Sequence, residues 1–128
     1  MTSKYISLEE LEVYTLSRQL SKIAWELFRE MDWETKKIMG IQFIESVDSI
    51  GANIAEGYSR YHYLDRIKFY YNSRGSLSEV CGHWLSLLLE REKISKDVYD
   101  RFKLIAVKLS IKLNNFIQST YNTKNKSQ

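Results

Sequence analysis

Apolar residues recur along this chain at spacings of three and four, the period of a helix that buries one face. Val13, Leu16, Leu20, Ile23, Leu27 and Met31 form the first such stripe, and Phe43, Val47, Ile50 and Ile54 the second. Tyr63, Ile67, Tyr70, Leu77, Cys81, Trp84 and Leu88 form the third; Val98, Phe102, Ile105, Leu109, Leu113 and Phe116 form the fourth. Four helices joined by short connections predict an all-α fold, an antiparallel up-down four-helix bundle. The predicted bundle domain spans residues 1–121, and the wholly polar run 122–128 is expected to be a disordered tail.

Local signals place the helix ends. Ser7-Leu8-Glu9-Glu10 has the form of a capping box, in which the Ser7 hydroxyl would take the Glu10 amide while the Glu10 carboxylate reaches back. Asp32 is positioned to cap a second helix from about Trp33 to Glu56. Gly57 is expected to close it in the left-handed conformation that glycine adopts without steric cost. Residues 58–61 then read as a connection, and a third helix runs from about His62 to Arg91 with Asp65 in its first turn. Ser95 caps the fourth, which reaches about Thr120.

Several positions carry more apolar surface than one bundle hides. Leu104, Val107 and Ile111 form a second row on the fourth helix, opposite its core stripe. Phe69, Val80 and Leu87 form an extra row on the third, beside the small-residue strip Gly75, Ser78 and Gly82. A helix apolar around so much of its circumference is buried on several sides. These six bulky residues are therefore the candidate subunit interface, and a homo-oligomer is expected. Gly40 and Gly51 lie on a strip of the second helix where another backbone must come close, because glycine inside a helix costs about 1 kcal/mol relative to alanine. Tyr14 and Trp25 fall opposite the first core stripe.

Composition agrees with helices: no proline, five glycines and 44% hydrophobic residues in 128. One cysteine cannot form an internal disulfide, and residues 1–5 show no apolar signal core, so a cytoplasmic protein is expected. No apolar run approaches the length of a membrane span, and no membrane partner is expected. The net charge of +3 is unevenly placed. Residues 1–90 hold 10 Lys and Arg against 13 Asp and Glu, whereas residues 91–128 hold 9 against 3. Arg101, Lys103, Lys108, Lys112, Lys124 and Lys126 are accordingly the candidate phosphate contacts if the chain binds RNA or another nucleic acid.

Enzymatic chemistry finds little support. A di-iron bundle needs inward carboxylates and paired Glu-x-x-His motifs. Glu79 and His83 stand four apart instead of three, and His62, the one other histidine, makes no second half-site. Phosphate-cradling glycine loops, zinc-ligand spacings and a nucleophile elbow are all missing from the sequence. Cys81 lies on a core stripe, where a cysteine behaves as a small hydrophobe. Neither a catalytic group, a cofactor nor a metal is expected. Asn53, Glu56 and Arg60 read as groups that close a helix end, with Glu79 accepting from Arg60 or a backbone amide; a contact site for an external ligand is the other reading. Tyr58, Tyr61, Tyr63, Tyr70 and Tyr71 are expected around the same corner, beside Arg60 and Arg66, as glue between subunits or as stacking platforms for unpaired bases.

The run from Ser49 to Arg60, Ser-Ile-x-x-Asn-Ile-Ala-Glu-Gly-Tyr-x-Arg, followed fifteen residues later by Gly75-Ser-Leu-Ser-Glu79, resembles the bacterial four-helix-bundle proteins known as ribosomal-RNA intervening-sequence proteins. The likeness extends from about Leu11 to Ser119. It implies a four-helix protomer, assembly as a ring-like homopentamer, frequent encoding within large-subunit ribosomal RNA genes, and no settled biochemical activity. Distantly similar pentamers serve as basic accessory proteins to reverse transcriptases in diversity-generating retroelements, which implies nucleic-acid or ribonucleoprotein binding. Two departures stand out. His62 replaces the Ser or Thr that usually opens the third helix, and Arg60-Tyr61-His62 replaces a basic run.

Overall fold

The computed structural model describes residues 5–127, with side chains through residue 123. Helix α1 spans Glu12–Glu30. Helix α2 is continuous over residues 33–59: one turn at Trp33–Thr35, a π turn at Lys36–Gly40 and an α-helical run Ile41–Ser59. Helix α3 covers residues 63–90 as Tyr63–Glu79, a π turn Val80–Trp84 and Leu85–Glu90. Helix α4 spans Lys96–Ser127. Each helix packs on the next and α4 closes back on α1, giving a four-helix bundle.

The core is the inner face of all four. Leu20, Ala24, Phe43, Val47, Ile50, Ile54, Leu85, Leu88, Phe102, Leu109 and Leu113 have no more than traces of exposed surface. Phe43 meets Phe102 across the bundle with ring centroids 5.9 Å apart, and Tyr70 meets Phe116 at 4.9 Å. Each buried large side chain contributes about 1.5–3 kcal/mol, which is what holds helices whose propensity alone would not.

The helix ends depart from expectation in instructive ways. Asp32 caps α2 as the sequence predicts, its Oδ1 accepting from the Thr35 amide at 2.8 Å. That bond holds its carboxyl below the usual carboxylate range. Ser95 caps α4 through the Val98 amide at 3.2 Å. The capping box does not form: the Ser7 hydroxyl donates to Glu10 Oε1 at 2.9 Å, Leu8–Glu10 is a 3-10 turn, and α1 starts only at Glu12. Helix α3 ends without glycine. The Lys93 amide reaches the Leu88 carbonyl at 2.8 Å and the Glu92 amide the Leu89 carbonyl at 3.0 Å, a Schellman closure that puts Glu92 at φ 58°.

The fourth helix also outruns its expected end. Helical backbone continues to Ser127 through the polar stretch from Asn122 that the sequence marks as disordered. Side-chain bonds one turn apart reinforce it, Thr123 to the Ser119 carbonyl at 2.9 Å and Gln118 to Asn122 at 3.2 Å. Gln128 lies outside the described residues. No described helix is long and apolar enough to cross a membrane.

Candidate interaction surface and the α2/α3 seam

Gly57 is the point where the sequence reading needs correction. It sits inside α2 with ordinary helical dihedrals, and no described glycine has positive φ. Its missing side chain serves packing instead. A β-carbon there would lie 2.7 Å from Tyr70 Cε1, 2.9 Å from Phe69 Cβ and 3.0 Å from the Arg66 carbonyl oxygen. Helix α2 ends two residues later, and its partner helix can cross this close only because the position carries no side chain.

From that crossing, α2 and α3 run antiparallel along a seam of small hydroxyls. The buried Ser73 donates to the Ile50 carbonyl at 2.8 Å, Ser49 meets Ser76 at 2.6 Å, and Ser46 donates to Glu79 Oε2 at 2.9 Å. Glu79 takes a second bond from Trp84 Nε1 at 2.7 Å, so its carboxylate is held by Ser46 and Trp84 and not by Arg60. Both bonds favour the ionised form and lower its pKa. Asn53 donates to the Ser49 carbonyl at 2.8 Å. The motif residues on this seam lock two helices together. The spacing Ser46-x-x-Ser49 facing Ser73-x-x-Ser76 was the available signal for it, since small polar residues three apart on two core helices mark close packing.

The corner beyond Gly57 is a clasp. Arg60 pairs with Glu56 one turn back and lays its guanidinium over the Phe69 ring, 4.9 Å from the centroid. Arg66 lies between the Tyr58 and Tyr63 rings at 5.8 Å each, and its Nε donates to the Arg60 carbonyl at 2.6 Å. Tyr58 donates its hydroxyl to the Ile6 carbonyl. His62 occupies the capping position of α3 but makes no side-chain cap bond. The five tyrosines do not form one cluster. Tyr70 is in the core, where burial pushes its pKa up to about 12. Tyr71 reaches Tyr121 on α4 at 3.3 Å, and Tyr61 is exposed beside His62.

Of the six residues expected on an apolar interface, the protomer leaves three outside. Leu104, Val107 and Ile111 are 74%, 50% and 57% exposed. Val80 is fully enclosed in the protomer core, and Phe69 and Leu87 are half-buried. Val80 follows Leu77 by an ordinary helical step and so joins the core stripe; the extra residue of the π turn then places the next inward positions at 85 and 88, five and eight beyond Val80, which a uniform helical period cannot reproduce. Trp84 is thereby turned to the rim, and burial of the neighbouring Cys81 raises its thiol pKa.

The small residues of α3 face outward beside this ridge. A β-carbon at Gly75 or Gly82 would meet nothing within 4 Å. Between them and α4 lies a cavity of about 190 Å³ lined by residues that include Ser78, Cys81, Ala106, Val107 and Ser110. By contrast Gly40 and Gly51 are filled from within, by Phe28 and Met31 and by Ser17.

Arg101, Lys108 and Lys112 stand seven and four residues apart and so line one side of α4, while Lys103 lies off that line. Arg101 and Lys108 are exposed. Lys103 turns to the Tyr99 ring and the α3 side, and Lys112 reaches Glu12 on α1 at 3.6 Å. The side chains of Lys124 and Lys126 lie outside the described residues. Among the described residues no group of three or more His, Cys, Asp and Glu is placed to hold a metal ion.

Comparison with known proteins places this geometry. No match is found among curated proteins. A crystal structure of a protein of unknown function from the S23 ribosomal protein family of Bacteroides thetaiotaomicron superposes with a TM-score of 0.76 at 25% identity, covering 83% of this chain and 95% of that one. The family model described as 23S rRNA-intervening sequence protein matches residues 9–115, and the chain belongs to that family.

Proposed function

We propose that this protein is a non-enzymatic, self-assembling helical bundle of the cytoplasm, and that the outer face of α4 with the adjoining strip of α3 is where copies meet. The observation that carries the reading is the exposure of Leu104, Val107 and Ile111 on successive turns. Burying each such side chain is worth about 1.5–3 kcal/mol, and a row of them beside a groove is an association surface by default. Gly75 and Gly82 support it from the other side. Each costs its helix about 1 kcal/mol and relieves no contact inside the protomer, so the close approach that would justify them comes from another chain. Five copies would form the assembly if the ring implied by the family resemblance applies. The test compares Val107→Glu with Lys108→Glu by light scattering. The first places a charge in a dry contact and dissolves the assembly, and the second leaves it standing; an assembly unaffected by Val107→Glu contradicts the reading.

A second reading adds nucleic acid, on the observation that residues 91–128 hold 9 basic against 3 acidic groups. Repetition around a ring would concentrate that charge even where one protomer disperses it. Filter binding of structured RNA at two salt concentrations tests it: affinity that falls steeply with salt supports it, and no salt-sensitive retention removes it.

A further inference from the structure

The small cavity between α3 and α4 has a chemistry of its own. We infer that it binds a short, extended dicarboxylate, one carboxylate held by Arg74 and the other by Lys103. This goes beyond the assembly reading, because every group in the site belongs to one protomer.

Each wall of the cavity brings one cation. Arg74 stands at one end, where its Nη1 donates to Asn114 Oδ1 on α4 at 3.1 Å and its guanidinium lies over the Tyr71 ring, 4.6 Å from the centroid. Those contacts fix its position and leave most of its N–H donors free. Lys103 stands at the other end beside Cys81: burial raises the thiol pKa, and the neighbouring ammonium opposes that rise. Arg74 and Cys81 lie two turns apart on α3, about 10 Å at the helical rise, so a single phosphate is too short to meet both cations and a two-ended anion is not.

Between the ends the lining is apolar or hydroxylic. Leu77, Ala106 and Val107 form the surface that a methylene chain would touch, and Ser78 and Ser110 add hydroxyls with no other partner among the described residues. No described carboxylate lines the cavity, and neither Arg74 nor Lys103 enters an ion pair among the described residues. Lys103 is half-buried, and a cation held partly out of water without a counter-charge favours an anion beside it. The volume of about 190 Å³ is that of roughly six waters, which admits a molecule the size of succinate or glutarate and excludes a nucleotide.

Calorimetric titration of the full chain with succinate, glutarate and adipate, beside acetate and inorganic phosphate at matched ionic strength, tests the site. A dicarboxylate is expected to saturate at one per chain, while acetate and phosphate, which satisfy one cation only, bind more weakly by roughly tenfold or more. Arg74→Gln and Lys103→Gln each weaken the dicarboxylate by roughly tenfold or more, the loss of a charge-assisted bond. Lys108→Gln removes an exposed cation outside the cavity and leaves binding unchanged. Thermal melting of each variant without ligand checks that the fold is retained. Cys81 is the one cysteine of the chain, so its alkylation by iodoacetamide reports on this cavity alone, and bound dicarboxylate slows it. No saturable heat with any dicarboxylate overturns the inference, as does binding that survives both substitutions or leaves Cys81 alkylation unchanged. Acetate or phosphate binding as tightly as the dicarboxylates overturns the two-ended ligand. A monomeric unmodified protein that still binds the dicarboxylate removes the assembly reading and leaves this site standing.

Discussion

Gly57 and Tyr70 touch across the α2/α3 crossing so closely that a β-carbon on the first would stand 2.7 Å from Cε1 of the second. Tyr70 is 1% exposed and packed against the tilted Phe116 ring, so its ring cannot swing away, and the Arg66 carbonyl at 3.0 Å belongs to the backbone. Gly57→Ala therefore destabilises the protomer by about 1–3 kcal/mol, an overpacking cost that exceeds the gain in helix propensity. Gly75→Ala has the opposite sign. With nothing near its β-carbon, the propensity gain of about 1 kcal/mol stands alone and the isolated protomer is stabilised. Urea denaturation of both variants in a Val107→Glu background, chosen so that association through α4 would not contribute, reads the two signs directly.

The C-terminus of α3 carries a removable strain. Glu92 holds φ 58°, a region that side chains with a β-carbon occupy at a cost. Glu92→Gly keeps both closing hydrogen bonds and removes that cost, so stability rises by up to about 1 kcal/mol. A thermal midpoint that falls instead would show that the Glu92 side chain makes a compensating contact.

Glu79 makes the α2/α3 seam sensitive to acid. Its folded-state pKa is lowered by the bonds from Trp84 and Ser46, so its contribution is fully present above the ordinary carboxylate pKa. That contribution is lost as pH falls through the lowered folded value. Glu79→Gln should thus be less stable than the unmodified protein at neutral pH, with the difference shrinking as the solution is acidified below about pH 4. Urea midpoints at pH 7 and pH 3 measure it; a difference that stays constant with pH would mean the charge plays no part.

The bundle was legible because the burial pattern of an amphipathic helix is written directly into its apolar spacing. Phe43, Val47, Ile50 and Ile54 were read as one stripe and lie in the core together. What escaped the sequence depends on single inserted residues and on who faces whom. The π turn at Val80–Trp84 brings Leu85 inward and leaves Trp84 at the rim, an offset invisible to any fixed period. Gly57 was read as a turn residue because glycine serves both turns and close crossings, and only the position of Tyr70 distinguishes them. Glu79 was matched to Arg60 on charge, whereas the neutral donors Ser46 and Trp84 hold it; a carboxylate takes hydrogen bonds from whatever donor the packing presents. The second apolar row on α4 was read from spacing alone, and the protomer leaves it exposed.

The central claim is that this exposed row is covered by another copy of the chain, and the mass of the unmodified protein in solution tests it most directly. Sedimentation equilibrium at micromolar concentration is predicted to return a whole-number multiple of the 15.2 kDa chain, fivefold if the ring holds. A mass of one chain at every concentration would contradict it, leaving Leu104, Val107 and Ile111 in water with no copy over them.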